Sequence, residues 1–262
     1  MPVQDKPRHI NDLIHIMDAL LAPNGCPWDR EQTTQSLAPF AIEEAHELAE
    51  AIEGGNSEEI KEELGDLLMQ VIFHSALTKN RGEFTLEDVI EGICTKLIRR
   101  HPHVFGDVKV KDSDEVLKNW SAIKNQEKSA TGKIQKGLGI PLSLPALQRA
   151  QKIGDKTKTL KFDWENAPQV LEKVEEELRE LKTAMKNNDR QNIEEEIGDL
   201  FFSLAQLTRH LKFEAETVAR AANRKFEKRF EKLLSLAKDR KLDFQSLPNE
   251  EKEKLWEEVK KV

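Results

Sequence analysis

Glu43-Glu44-Ala45-His46-Glu47 and Glu62-Glu63-Leu64-Gly65-Asp66 hold two pairs of carboxylates, Glu44 with Glu47 and Glu63 with Asp66. Residues three apart on an α-helix share a face, so each pair projects together. The Gly54-Gly55-Asn56-Ser57 stretch between the clusters reads as a turn. Two helices packed antiparallel across it would bring four carboxylates to one spot. Like charges a few ångströms apart repel strongly away from bulk water. A hard divalent cation with oxygen ligands relieves that, and Mg²⁺ favours carboxylates, water and phosphate.

The constellation occurs twice. Glu44, Glu47, Glu63 and Asp66 each recur 133 residues on, as Glu177, Glu180, Glu196 and Asp199 (177 − 44 = 199 − 66 = 133). One such pattern in an acidic chain is an ordinary solvated face; two with identical internal spacing are a duplicated site. The leading glutamates, Glu43 and Glu176, are the candidate catalytic residues. Each copy is followed by a lysine and an arginine one helical turn apart, Lys96 with Arg100 and Lys225 with Arg229, then by a tryptophan, Trp120 and Trp256. A metal and cations neutralise phosphate oxygens, arginine adding a bidentate fork, and tryptophan stacks on a base of any identity. The set therefore points to a nucleotide, with Lys173, Glu177 and Asp199 as further contacts. No Walker-type phosphate loop and no GxGxxG accompanies it. An acidic Mg²⁺ site that handles phosphates works through metal-activated water attacking phosphorus.

Other chemistries fit less well. A di-iron carboxylate bundle uses Glu-x-x-His pairs, and Glu43 with His46 has that spacing. The second copy has Arg179 in place of His46, which cannot ligate a metal, so His46, His74, His101 and His103 read as structural or surface residues. Cys26 reads as a loop residue and Cys94 as a buried thiol. Gly65 and Gly198, inside their helices, fit either close helix packing or room for a metal or phosphate. A non-catalytic helical module that senses nucleotides or binds partners through the same clefts is the alternative from another class.

The elements that must position these residues are helical. The chain has 262 residues and little glycine, with many Glu, Lys, Leu and Ala. Hydrophobic residues are 38% and charged residues 34%, and no apolar run nears the ~18 residues that span a bilayer. The net charge of −7 gives no global reason to expect nucleic acid. Two cysteines without a CxxC pair, and a polar N-terminus without a signal-peptide pattern, lead us to expect a reduced cytoplasm. A first helix runs from about His9 to Leu21, and Pro23 to Asp29 forms a loop. Pro39 suits the first turn of the helix carrying the first acidic cluster. Asn56 with Glu59 caps the next, apolar-rich helix, the expected centre of its bundle. Helices follow over Leu86–Arg100 and near Asp114 to Glu127. After a glycine-containing connector the second half repeats the order, with Pro168 opening its acidic helix and Ile193 to Leu211 central. The division is residues 1–127, a connector over 128–143, and residues 144–262.

The chain resembles the MazG nucleoside triphosphate pyrophosphohydrolases over nearly its whole length. The resemblance rests on Asn24-Gly25-Cys26-Pro27-Trp28-Asp29, both acidic sets and Arg99-Arg100-His101-Pro102-His103-Val104-Phe105. Ser143-Leu144-Pro145-Ala146-Leu147 and Phe226-Glu227-Lys228-Arg229-Phe230 add to it. It implies an all-α fold of two tandem helical-bundle domains, assembled as a homodimer of intertwined bundles. It also implies Mg²⁺-dependent hydrolysis of nucleoside triphosphates to monophosphate and pyrophosphate with broad base tolerance, Mn²⁺ being a possible substitute. Glu177, Glu180, Glu196 and Asp199 then hold the metal, with Glu44, Glu47, Glu63 and Asp66 as the first copy, and Lys225, Arg229 and Trp256 match nucleotide contacts.

Overall fold

The structure, a computed structural model, describes residues 9–130 and 137–260. Among the described residues the chain is α-helical, without strands, and divides into two compact units, Met1–Lys133 and Ile134–Val262. Residues 131–136 of the connector read over 128–143 lie outside the described residues.

In the first unit α1 (Ile10–Leu21) begins at His9, and α2 (Pro27–Glu31) is a short helix with proline in its first turn. The loop expected over Pro23 to Asp29 is therefore helical in its last residues, because Pro27 at a helix start costs nothing that an orphan N–H would have gained. α3 (Thr34–Gly54) starts five residues before Pro39. Thr33 Oγ1 accepts from the Ser36 N–H at 3.0 Å and Ser36 Oγ accepts from the Thr33 N–H at 2.9 Å. This reciprocal cap, not the proline, sets the start, and Pro39 lies inside the helix, where it forgoes one backbone hydrogen bond. Gly55 ends α3 at φ 76°, a left-handed cap that glycine adopts without a Cβ penalty. Asn56 then caps α4 (Ser57–Asn80), accepting from the Glu58 N–H at 3.1 Å and donating to Glu59 Oε1 at 2.7 Å. α5 (Leu86–Arg100), α6 (Pro102–Phe105) and α7 (Ser113–Ala130) complete the unit.

The core of this unit is small: Met17, Leu37, Ile72, Phe73 and Leu77 are buried, with Leu13, Ile14 and Met69 packed against them. α4 is central, yet only part of its apolar set is inside, since Leu64, Leu68 and Val71 are exposed. α5 buries no residue, so Val89, Ile90, Ile93 and Leu97 form an uncovered apolar stripe. Cys94, expected buried, is exposed for the same reason.

The second unit repeats the hairpin as α9 (Ala167–Asn187) and α10 (Arg190–His210). Asn166 caps α9, with Pro168 in the first turn as expected. Asn188 makes the left-handed turn at φ 51°, and Asp189 caps α10 by accepting from the Asn192 N–H at 3.2 Å. α8 (Ala146–Thr159) packs on α10 so closely that a Cβ on Gly154 would lie 1.9 Å from Gln206 Oε1. Gln206 Nε2 donates to the Ala150 carbonyl at 2.7 Å across that contact. The buried Arg209 on α10 donates through Nη1 to Asp163 Oδ2 at 3.0 Å, and His210 Nε2 lies 3.2 Å from Asp163 Oδ1. α11 (Ala215–Asp239) and α12 (Asn249–Lys260) pack through Leu233, Ala237, Leu255 and Val259. Phe201 and Phe226 remain 58% and 56% exposed.

Candidate functional site

Each hairpin brings three carboxylates together. Oxygens of Glu44, Glu63 and Asp66 in the first unit, and of Glu177, Glu196 and Asp199 in the second, lie within 4.8 Å of one another. Glu44 and Glu177 come from the first helix of the hairpin, the other pair from the second. Four were expected in each set. Glu47 and Glu180 stand outside the triplets, but their charges still act on Glu63 and Glu196. Both are exposed, yet among the neighbouring charges they act most strongly on Glu63 and Glu196, so each stays beside its triplet.

The electrostatics carry the strain of this arrangement. Burial pushes the Glu63 carboxyl above its ordinary range, and the charges of Glu47, Asp66 and Glu44 add to it. Glu44 is raised too, by burial against a hydrogen bond from Gln70 Nε2 at 3.4 Å and with the charges of Asp66, Glu47 and Glu43. Burial likewise raises Glu196, helped by Glu180, Glu177 and Asp199, and its buried Oε2 has no hydrogen-bond partner. All-oxygen donor sets whose members repel, one with an orphaned buried oxygen, fit a hard divalent cation.

The two sites differ in one cation. In the second unit Lys173 lies 2.8 Å from Glu176 Oε1 and 2.7 Å from the buried Glu177 Oε1. Hydrogen bonds to these carboxylates hold the lysine above its ordinary range, and Lys173 holds Glu176 below its own. The matching position of the first unit is Phe40 (173 − 133 = 40), whose ring meets Trp28 edge-on at 6.2 Å. Glu43 is exposed. A Cβ on either Gly65 or Gly198 would meet nothing within 4 Å, so close helix packing within the chain is not the reason for these glycines.

The basic and aromatic candidates are arranged less alike than their spacing suggested. Lys225 is exposed, Arg229 is half-buried, and neither makes an ion pair among the described residues. Trp256 packs on Phe226 at 5.2 Å and joins the α11–α12 core, so it is only partly available as a stacking surface. In the first unit Lys96 is exposed, while Arg100 is held by Glu127 at 2.6 Å. Trp120 stands edge-on to His101 at 4.9 Å, its buried Nε1 without a partner. Glu127 carried no signal in the sequence, because its partners lie on another helix 27 and 28 residues away.

A family model described as the MazG nucleotide pyrophosphohydrolase domain matches residues 32–105 and 166–234. Both acidic triplets and all four matched cations fall within those segments; Trp120, Glu127 and Trp256 do not. The chain is 45% identical over 249 residues to the nucleoside triphosphate pyrophosphohydrolase/pyrophosphatase MazG of Thermotoga maritima, covering 95% of this chain and 94% of that one. It is 40% identical over 255 residues to the nucleoside triphosphate pyrophosphohydrolase of Escherichia coli (strain K12), covering 96% and 97%. A nucleoside triphosphate pyrophosphohydrolase of Mycolicibacterium smegmatis is 36% identical over 144 residues, 54% of this chain and 44% of that one.

Proposed function

The chain belongs to the MazG nucleotide pyrophosphohydrolase family, and from that premise we propose that it hydrolyses nucleoside triphosphates to nucleoside monophosphate and pyrophosphate in an Mg²⁺-dependent way. The carrying observation is the pair of carboxylate triplets, each a set of mutually repelling oxygens that a divalent cation would neutralise. Glu177, Glu196 and Asp199, with Glu180 beside them, would hold Mg²⁺ in the second half, as Glu44, Glu63 and Asp66 with Glu47 would in the first; Mn²⁺ suits the same oxygens. Bound there, the ion supplies Lewis-acid polarisation of phosphoryl oxygens and a water of lowered pKa.

The chain's own groups supply the rest. Lys225, Arg229 and Lys173 would bind phosphate oxygens, and Lys96 and Arg100 their counterparts in the first half. Trp256 and Trp120 would give the base a flat apolar contact that does not read its hydrogen-bonding edge, hence broad base tolerance. Glu176, kept below its ordinary range by Lys173, stays ionised at neutral pH and could accept the proton of an attacking water, with Glu43 as its first-half equivalent. The uncovered apolar faces of α5 and of Phe201 and Phe226 favour a homodimer of chains divided at the 128–143 connector, and the free Cys26 and Cys94 suit a reducing cytoplasm. A monomeric mass by light scattering at micromolar concentration would sink the dimer.

The deciding assay is pyrophosphate release from a panel of ribo- and deoxyribonucleoside triphosphates, with Mg²⁺ present or chelated. We expect several bases to be turned over, and chelation to stop the reaction. Asp199→Ala should cost more than Asp66→Ala, and the double variant should be inactive. Binding of nucleotide without release of pyrophosphate would instead make the chain a sensing module.

A further inference from the structure

The geometry points to Glu127 as a built-in competitor for phosphate in the first half, its carboxylate occupying the Arg100 guanidinium that a nucleotide's phosphates would use there, with Arg99 as a second donor. The inference rests on the proposed role of Arg100 as a phosphate ligand and goes beyond it. Arg100 donates through Nη2 to Glu127 Oε2 at 2.6 Å and through Nε to Oε1 at 3.2 Å. Arg99 donates through Nε to the same Oε1 at 2.8 Å. Both oxygens of one carboxylate are thus taken by two guanidiniums, the fork that a phosphate group receives.

The contact is not a loose surface pair. The side chains of Glu127 and Arg100 are 19% and 25% exposed. Hydrogen bonding from Arg100, together with Arg99 and against some burial, pulls the Glu127 carboxyl down to about 2, so it stays charged and in place at any physiological pH. Glu127 and Trp120 stand seven residues apart on α7 and therefore share a face. The helix face that offers the first half its aromatic contact also delivers the blocking carboxylate.

The second half provides the contrast within one chain. Arg229 and Lys225, at the positions matching Arg100 and Lys96, make no ion pair among the described residues. At Lys225 and Arg229 a phosphate meets cations without an ion pair among the described residues, although Lys173 there is clasped by Glu176 and Glu177; at Arg100 it must displace an internal anion. Its apparent affinity there is lowered by the fraction of time the latch is closed. Beside the exchange of Lys173 for Phe40, one glutamate thereby sets the two halves apart: the first answers only when ligand is abundant enough to outcompete Glu127, or when something draws α7 away.

The test uses the full chain with its second half silenced by Asp199→Asn and Arg229→Ala, and inorganic tripolyphosphate with Mg²⁺ as the probe in calorimetry. In that background Glu127→Gln should tighten binding about tenfold, the weight of one charge-assisted contact set free, and adding Arg100→Ala should remove the gain. If Glu127→Gln binds no more tightly while Arg100→Ala alone weakens binding, the latch is wrong and the phosphate role of Arg100 stands. If Arg100→Ala changes nothing in either background, the phosphate role fails and takes the latch with it. Should Glu127→Gln lose helicity by circular dichroism, Glu127→Asp decides. Its carboxylate is retained but too short to span both arginines, so it should give a partial gain, and unchanged binding overturns the proposal.

Discussion

At Glu196, burial and the neighbouring Glu180, Glu177 and Asp199 push the carboxyl above its ordinary range, and Oε2 is left without a hydrogen-bond donor. A carboxyl raised by folding favours the folded state when protonated, and that contribution is lost as pH rises through the folded pKa. The metal-free chain is therefore strained at neutral pH and relieved below about pH 4, where carboxylates also protonate when unfolded. Glu196→Gln should raise the melting temperature of the metal-free chain at neutral pH, with the difference closing on acidification, while turnover falls by at least about tenfold as a ligand is lost. A melting temperature that falls instead would mean that repulsion is not what Glu196 feels. Three of the four carboxylates in each half could be read from spacing alone, because helix geometry places residues three and four apart on one face. Which oxygens come within 4.8 Å of one another could not, since that depends on side-chain placement across the hairpin and not on spacing along one helix.

The segment before α9 is tied to the end of α10 by a buried ion pair. Burial pushes Asp163 up, but hydrogen bonds from Arg209 and His210 outweigh it, and the carboxyl ends below its ordinary range. Its stabilising contribution is then present above about pH 4, the unfolded pKa, and is lost as pH falls through the lower folded value. Asp163→Asn leaves the buried guanidinium of Arg209 with Gln206 Oε1 at 2.9 Å and the exposed Asp155 at 4.0 Å, so it should cost about 2 kcal/mol at neutral pH. The gap to the parent should narrow in acid, as urea unfolding at several pH values would reveal. A constant gap across pH would assign the loss to packing. The elements themselves were largely legible: the cap at Asn56, Pro168 in the first turn of α9 and the span Leu86–Arg100 follow from side chains within a turn of each other. Pro39 misled because proline marks a helix start only where no stronger cap lies upstream, and Thr33 with Ser36 is such a cap. The Asp163–Arg209 tie joins residues 46 apart, beyond any local pattern.

On the scale of the whole chain, duplication was visible because both hairpins keep one internal spacing, and divergence was hidden in what surrounds them. Lys173, clasped by Glu176 and Glu177, has Phe40 as its counterpart in the first copy. Two nests of carboxylates that differ by a full positive charge do not attract a divalent ion equally, and the nest with Phe40 attracts it more. Mn²⁺ titration followed by the paramagnetic signal of the free ion should resolve two classes of site, and Asp66→Asn should remove the tighter one; a single class would show the lysine to be without effect. When the ion runs short, the half with the lysine should then empty first and the other keep its load. A chain holding the same ion at two settings would be a gauge as well as a catalyst: the share of its halves at work would mark how much of the ion the surroundings supply.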